Sequence, residues 1–198
     1  MRAEDDEKSE APQLPVLMPT KITERLFESR TILLHGEITS KLAQEITAQL
    51  LALAASGDEP ITIFLHSEGG HVEAGDTIHD MVKFVKPRVR IVGTGWVASA
   101  GTHIYLAAAK KDRFCLPNTR FMIHQPLGGV GGRATDIRIE AEEIMKARQR
   151  LNQTIADATG QPLEKIENDT ERNYWMSPEE AQAYGIVGKI IKSAAELA

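Results

Sequence analysis

Three times between Thr31 and Ala109 the chain runs through the same order: an apolar stretch, a break that contains glycine, and a helical pattern. Thr31–Gly36 (TILLHG) is short, apolar and ended by glycine, which predicts a strand. Ser40–Ser56 carries Leu42, Ile46, Leu50, Leu51 and Leu53 at helical spacing and stops at Gly57. Ile61–His66 (ITIFLH) gives a second strand, broken at Ser67-Glu68-Gly69-Gly70, and leads into a helix over Glu73–Lys86 closed by Pro87. Val89–Val97 gives a third, breaks around Gly95 and runs into the small-residue segment Ala98–Ala109. Repeated β-α units of this kind predict an α/β fold with a mostly parallel sheet and helices packed on it.

The rest of the chain departs from that rhythm. Arg113–Leu116 and Phe121–Gln125 read as two short strands joined by the Pro-Asn turn at 117–118. The glycine-rich segment Leu127–Gly132 then opens onto one long helical pattern, Arg133–Thr159, with Ile137, Ile144 and Leu151 spaced by seven beside Ala134, Ala141 and Ile155. A helix of about 27 residues is roughly 40 Å long, more than a domain of this length has surface to cover, so it either projects toward a partner or caps the core. Ser177–Gly185 and Ile186–Ile191 read as a short helix and a last strand. Met1–Pro19 is acidic, then dotted with Pro12, Pro15 and Pro19, without apolar periodicity, and is expected to be a flexible arm ahead of a single domain over residues 20–198.

Composition narrows the function. Cys115 is the single cysteine, so internal disulfides and multi-cysteine metal patterns are excluded and a cytoplasmic address is the expectation. A net charge of −5, from 23 basic and 28 acidic residues, gives no reason to expect nucleic acid or an anionic membrane as partner. No apolar run approaches the roughly 18 residues that span a bilayer.

In open α/β sheets function gathers where strand ends meet helix starts, and two such junctions stand out. At His66-Ser67-Glu68-Gly69-Gly70 the glycines either make a turn or free backbone N–H groups to face an anion. At Gly95-Trp96-Val97-Ala98-Ser99-Ala100-Gly101 a serine among small residues opens a helix, where it either caps the helix or attacks a carbonyl. A nucleophilic serine needs a base. Of the six histidines, His124 is placed best, in Met122-Ile123-His124-Gln125-Pro126 at the end of an apolar run. His66 and His71 are two metal ligands at most, without a third nearby, so no metal and no cofactor are expected.

RFCLPN at 113–118, MIHQPLGG at 122–129, ATDI at 134–137 and DTERNYWMSPEEAQAYG at 169–185, taken with Gly95–Gly101, resemble the proteolytic subunit of the Clp protease (ClpP) from about Ile22 to Lys192. The resemblance implies a crotonase-like fold, with a compact head and a handle at about 125–160 built from the long helix. It implies a heptamer ring, stacked through the handles into a tetradecamer that encloses a chamber. It implies Ser99 as nucleophile, His124 as general base, and the backbone N–H groups of Gly70 and Ala100 as oxyanion donors. Glu171 and Arg172 then bridge the rings, and Phe64 and Phe84 fall on docking positions for an AAA+ unfoldase, with Thr62 at a neighbouring position that is aromatic in the family.

Several positions depart from that pattern. The third triad member, usually aspartate, falls on Asn173, and Asp169 lies four residues before it. An amide oxygen can hold the useful histidine tautomer but adds no negative charge. Glu68 and Trp96 replace family residues near the expected groove, and the arm does not match the family's axial loop. The leading expectation is an ATP-independent serine peptidase subunit that cuts unfolded chains and peptides inside a barrel, with activity weakened or made conditional by Asn173. The alternatives are a proteolytically impaired structural or regulatory ring paired with a more active ClpP paralogue, and an acyl-CoA hydratase or isomerase of the same fold class.

Overall fold

The computed structural model describes residues 20–129 and 131–197, so the expected arm, Met1–Pro19, lies outside the described residues. The three repeated units are present as β1 (Thr31–His35), α2 (Ser40–Ser56), β2 (Ile61–Ser67), α3 (Val72–Phe84), β3 (Val89–Ala98) and α4 (Ala100–Tyr105). A further helix, α1 (Thr20–Glu28), precedes them. Beyond them come β4 (Arg113–Cys115), β5 (Arg120–Ile123), α5 (Ala134–Thr159), α6 (Leu163–Asp169), β6 (Tyr174–Met176), α7 (Pro178–Tyr184) and β7 (Lys189–Ile190).

The sheet runs in the order β1-β2-β3-β4-β7, all parallel, with β5 beside β3 and β6 antiparallel to β5. Alternation decides which side of each strand faces the core. In β2, Ile61, Ile63, Leu65 and Ser67 are buried while Thr62, Phe64 and His66 are half-buried. The inward set meets Ala43, Ile46, Leu50 and Leu53 of α2 and Ile78 of α3 in the main core. On the opposite side Phe64 joins Val92, Phe114 and Ile191 in a smaller cluster under Leu197.

The two short strands expected at 113–116 and 121–125 are present but do not pair with each other. β4 pairs with the first half of β3, through Ile91–Gly93, and β5 with its second half, through Trp96–Ala98. The turn between them steps the chain along β3: Thr119 N–H donates to Leu116 O at 3.1 Å and its hydroxyl to Gly93 O at 2.9 Å. The last strand is shorter than its apolar run because Ile186 and Val187 donate to Ala181 O and close α7. Ser177 starts that helix with a capping box to Glu180.

Arg113, in the RFCLPN motif, is buried and donates to Ala108 O at 2.7 Å and Ala158 O at 2.9 Å, so it ties the end of α5 to the head. Only Asn152, Ile155 and Ala156 of α5 are buried, and Ala134–Glu143 is exposed on every side. The first half of the helix therefore stands clear of the core, as the projecting reading required.

Candidate active site

Ser99 sits between the end of β3 and the start of α4, at φ 55° and ψ −121°. A non-glycine residue rarely adopts a positive φ, and here the sharp turn lifts the side chain away from the helix it precedes. Its hydroxyl makes no cap bond to that helix. It lies instead 2.7 Å from His124 Nε2. The capping alternative for Ser99 is thereby overturned. Two groups hold the turn: Ser99 N–H donates to Met122 O at 2.9 Å, and the buried Thr102 hydroxyl lies 2.7 Å from Val97 O and 2.9 Å from Met122 O. The two contacts to Met122 O anchor the serine to β5, the strand that ends at Ile123, directly before His124.

β5 stops at Ile123, short of the expected end at Gln125, because Gln125 N–H turns to Thr170 O at 2.6 Å and Gln125 Nε2 donates to Glu171 O at 2.9 Å. That crossing brings the segment after α6 against His124. His124 Nδ1 lies 3.1 Å from Asn173 Oδ1, so Ser99, His124 and Asn173 form one hydrogen-bonded line. Burial pushes the His124 pKa below its ordinary value, while the hydrogen bond it donates to Asn173 Oδ1 opposes that shift. The imidazole is therefore neutral near pH 7. With Nδ1–H donating to the amide oxygen, Nε2 is free to accept the serine proton.

Asp169 points elsewhere. Its Oδ2 accepts the Tyr184 hydroxyl at 2.7 Å and pairs with Lys165; burial first, and then this carboxylate, drive the Tyr184 pKa up. Asn173, not Asp169, is the partner of the histidine.

The diglycine approaches from β2. A Cβ on Gly69, at φ 109°, would lie 2.6 Å from Ser99 Cβ, and one on Gly70, at φ 150°, would lie 2.3 Å from Ile38 O. Only glycine permits both approaches. Ile38 and Gly70 form a bridge through Ile38 N–H to Gly69 O and His71 N–H to Ile38 O, at 2.8 and 2.9 Å. Neither Gly70 N–H nor Ala100 N–H donates to a backbone acceptor in that arrangement, among the described residues.

Positions away from this line are less concentrated. Phe84 is 76 % exposed and Phe64 half-buried, on α3 and β2. Glu171 pairs with Arg148 of α5 at 2.7 Å, and Arg172 is exposed without an ion pair among the described residues. Glu68 is exposed; Trp96 is exposed at 47 % and meets Trp175 edge-on at 5.4 Å. No group of three or more metal-binding side chains occurs among the described residues, and no described helix is long and apolar enough to cross a membrane. The sequence reading missed Arg148, Asn152 and Thr170, which hold the Asn173 segment. Thr170 donates to Asn152 Oδ1 at 3.0 Å, both buried. The available signal was a polar Asn152 beside the apolar track of Leu151 and Ile155.

Comparison with known proteins agrees with this geometry. Residues 18–194 match the family described as Clp protease. The chain is 54 % identical over 197 residues to ATP-dependent Clp protease proteolytic subunit 3 of Rhizobium meliloti, covering 100 % of both. It is 57 % identical over 175 residues to proteolytic subunit 2 of Gluconobacter oxydans, covering 87 % of this chain and 78 % of that one. Among solved structures, ClpP1 from Listeria monocytogenes superposes with a TM-score of 0.82 at 55 % identity, over 89 % of this chain and 99 % of the other. A mutant of that protein with an asparagine replaced by aspartate gives 0.84. With a serine–histidine line on a sheet of this topology, and relatives matched along its whole length, the chain belongs to the Clp protease family of serine peptidase subunits.

Proposed function

We propose that this chain is the ATP-independent peptidase subunit of a Clp-type barrel, cutting unfolded proteins and peptides with a Ser99–His124–Asn173 triad. The observation that carries the reading is the line of hydrogen bonds from Ser99 Oγ through His124 to Asn173 Oδ1, at 2.7 and 3.1 Å. Ser99 attacks the peptide carbonyl as His124 Nε2 takes its proton. The Gly70 and Ala100 amides receive the oxyanion, and His124 returns the proton to the leaving amine. Asn173 holds the tautomer without offsetting the imidazolium charge, so catalysis is weaker than with a carboxylate.

Asn173 is exposed at its bond to His124, which supports activity conditional on assembly. On this reading α5 is the handle through which heptamer rings stack into a tetradecamer, with Glu171 and Arg172 between the rings. Phe84, and less so Phe64, receive an AAA+ unfoldase, and the particle works in the cytoplasm. The exposed Ile137, Ile139 and Met145 on α5 support burial of that helix in an assembly.

Intact-mass analysis after treatment with a fluorophosphonate tests the nucleophile. The wild-type chain gains one adduct on Ser99, and Ser99→Ala gains none; an adduct on the variant would mean another nucleophile. The second reading, an impaired ring that serves a more active ClpP paralogue, is favoured by Asn173. It predicts that the purified chain forms rings and turns over a fluorogenic peptide only once the paralogue is added.

A further inference from the structure

Asp76 lies in the first half of α3, the helix that starts two residues after Gly70. Three helices meet at its carboxylate, whose side chain is 26 % exposed. One oxygen accepts from Arg150 of α5 at 2.6 Å, and the other lies 2.9 Å from His103 Nε2 of α4, too far out of line for a hydrogen bond. Burial, then the neighbouring His79 and Arg150, push the His103 pKa down to about 3, so that ring is neutral. Arg150 is therefore the one permanent cation paired with Asp76 among the described residues. Next to Asp76, a Cβ on Gly75 would lie 3.2 Å from Ala100 Cβ, so α3 is pressed against the residue that follows Ser99. At the far side of the ion pair, Arg150 stands on the stretch of α5 that also carries Arg148 and Asn152, whose bonds to Glu171 and Thr170 hold the loop before Asn173.

We propose that Asp76 is a positioning residue for the triad: by holding Arg150 it fixes the base of the handle against the helices that begin at the diglycine and at Ser99, and so keeps Asn173 Oδ1 against His124. This rests on the Ser99–His124–Asn173 reading. Position matters more for an amide than for a carboxylate, because Asn173 has one oxygen to offer. A misplacement of about 1 Å in a reacting constellation can cost on the order of 10²-fold in rate. The charge of Asp76 carries the effect, since a neutral group of the same shape lacks the charge-assisted bond to Arg150. The groups that face it are Glu73, His79 and Asp80 on α3, His103 on α4 and Arg150 on α5. Burial raises the Asp76 pKa above the ordinary aspartate value, Arg150 and His79 oppose this, and Asp80 and Glu73 add to it. As pH falls, Asp76 takes up its proton before an ordinary aspartate does, and the tie to Arg150 loosens with it.

Rates of Ser99 modification by a fluorophosphonate, read by intact mass on the purified full chain, test this. Asp76→Asn copies the protonated carboxyl in shape and is labelled about fivefold more slowly near neutral pH, the scale of one hydrogen bond. The two rates converge on acidification, because wild type then carries a neutral group at 76 as well; a ratio that stays constant with pH would make the role of Asp76 merely structural and overturn the proposal. In Asn173→Ala, which has no oxygen to place, adding Asp76→Asn slows labelling no further, whereas a second fivefold loss would show that Asp76 acts elsewhere. If Asp76→Asn fails to fold, Arg150→Gln, which removes the more exposed member of the pair, decides: a similar loss supports the tie and a wild-type rate overturns it. Ser99 labelled equally in wild type and these variants rejects only the role of Asp76. No labelling of Ser99 in wild type rejects the triad reading and this inference with it.

Discussion

At the scale of single residues, what separates this site from a carboxylate triad is one atom type. An aspartate presents oxygen to His124 Nδ1 in either orientation, so only the tautomer with a free Nε2 is supported. Asn173 presents oxygen at 3.1 Å as it stands, but a half-turn of its amide presents NH₂ and supports the tautomer that cannot accept the Ser99 proton. The missing charge adds to this. Replacing aspartate by asparagine in a chymotrypsin-type triad lowers the rate about 10⁴-fold, roughly 5.5 kcal/mol of barrier, part of it from the wrong tautomer. Asn173→Asp therefore raises peptide turnover by the assembled particle tenfold or more; an unchanged rate with normal assembly would show that charge is not what the site lacks. The pH profile is a second readout. Burial lowers the His124 pKa, so the neutral base persists below the ordinary histidine value, and the acid limb of Ser99 labelling falls under about pH 6.5. A carboxylate at 173 favours the imidazolium and moves that limb to higher pH. Cys115 stays out of this chemistry: burial pushes its thiol up to about 12, leaving it protonated at any working pH.

At the scale of elements, the site is a meeting of three strand ends with a loop that belongs to none of them. β2 delivers the diglycine, β3 the serine and β5 the histidine, while Asn173 arrives on the loop between α6 and β6. That loop is held from the side by the handle, through Thr170 to Asn152 and Glu171 to Arg148. Asn152→Ala removes a buried acceptor. Because the Thr170 hydroxyl keeps Ile166 O at 2.7 Å, the cost is confined to about 1–2 kcal/mol of stability, read by urea unfolding. Ser99 labelling slows by more than that loss of folded protein accounts for, because Asn173 is no longer held against His124. Equal stability and equal labelling would mean the handle does not position the loop. The sequence shows the strand ends clearly because Leu65, Val97 and Ile123 terminate apolar runs before polar or glycine-rich breaks. It hides the loop's supports. α6 is seven residues long with Ile166 alone buried, and β6 is three residues recruited by pairing with β5, so neither carries a period of its own. α1 buries no residue, and its Leu26 and Phe27 only line a groove with Leu33 of β1 and Leu53 of α2.

At the scale of the whole molecule, α5 has far more surface than the head can cover, and the residues that hold Asn173 lie at its base. On the proposed reading, assembly and catalysis are coupled through one loop. Two arginines separate the contributions. Arg148 binds Glu171 within the chain, at 2.7 Å and partly exposed, which makes it a positioning contact. Arg172 is exposed and pairs with no described acid, and under the proposed function it is the residue that meets the other ring. An exposed ion pair contributes about 0.5 kcal/mol. Within one chain that is barely measurable, but repeated in every subunit of a heptamer it comes to about 3.5 kcal/mol across a ring–ring interface, more than a hundredfold in the association constant. Arg172→Ala accordingly shifts sedimentation from the double ring to the single ring while leaving the urea midpoint of the subunit within error. Arg148→Ala leaves stacking in place and lowers Ser99 labelling within it. If Arg172→Ala stacks like wild type, the ring–ring role of the 171–172 pair is wrong, and the exposure of Asn173 needs another cover. If both variants lose stacking together, Glu171 is shared between the two arginines, and the intrachain bond at the base of the handle is the state from which the ring contact is made.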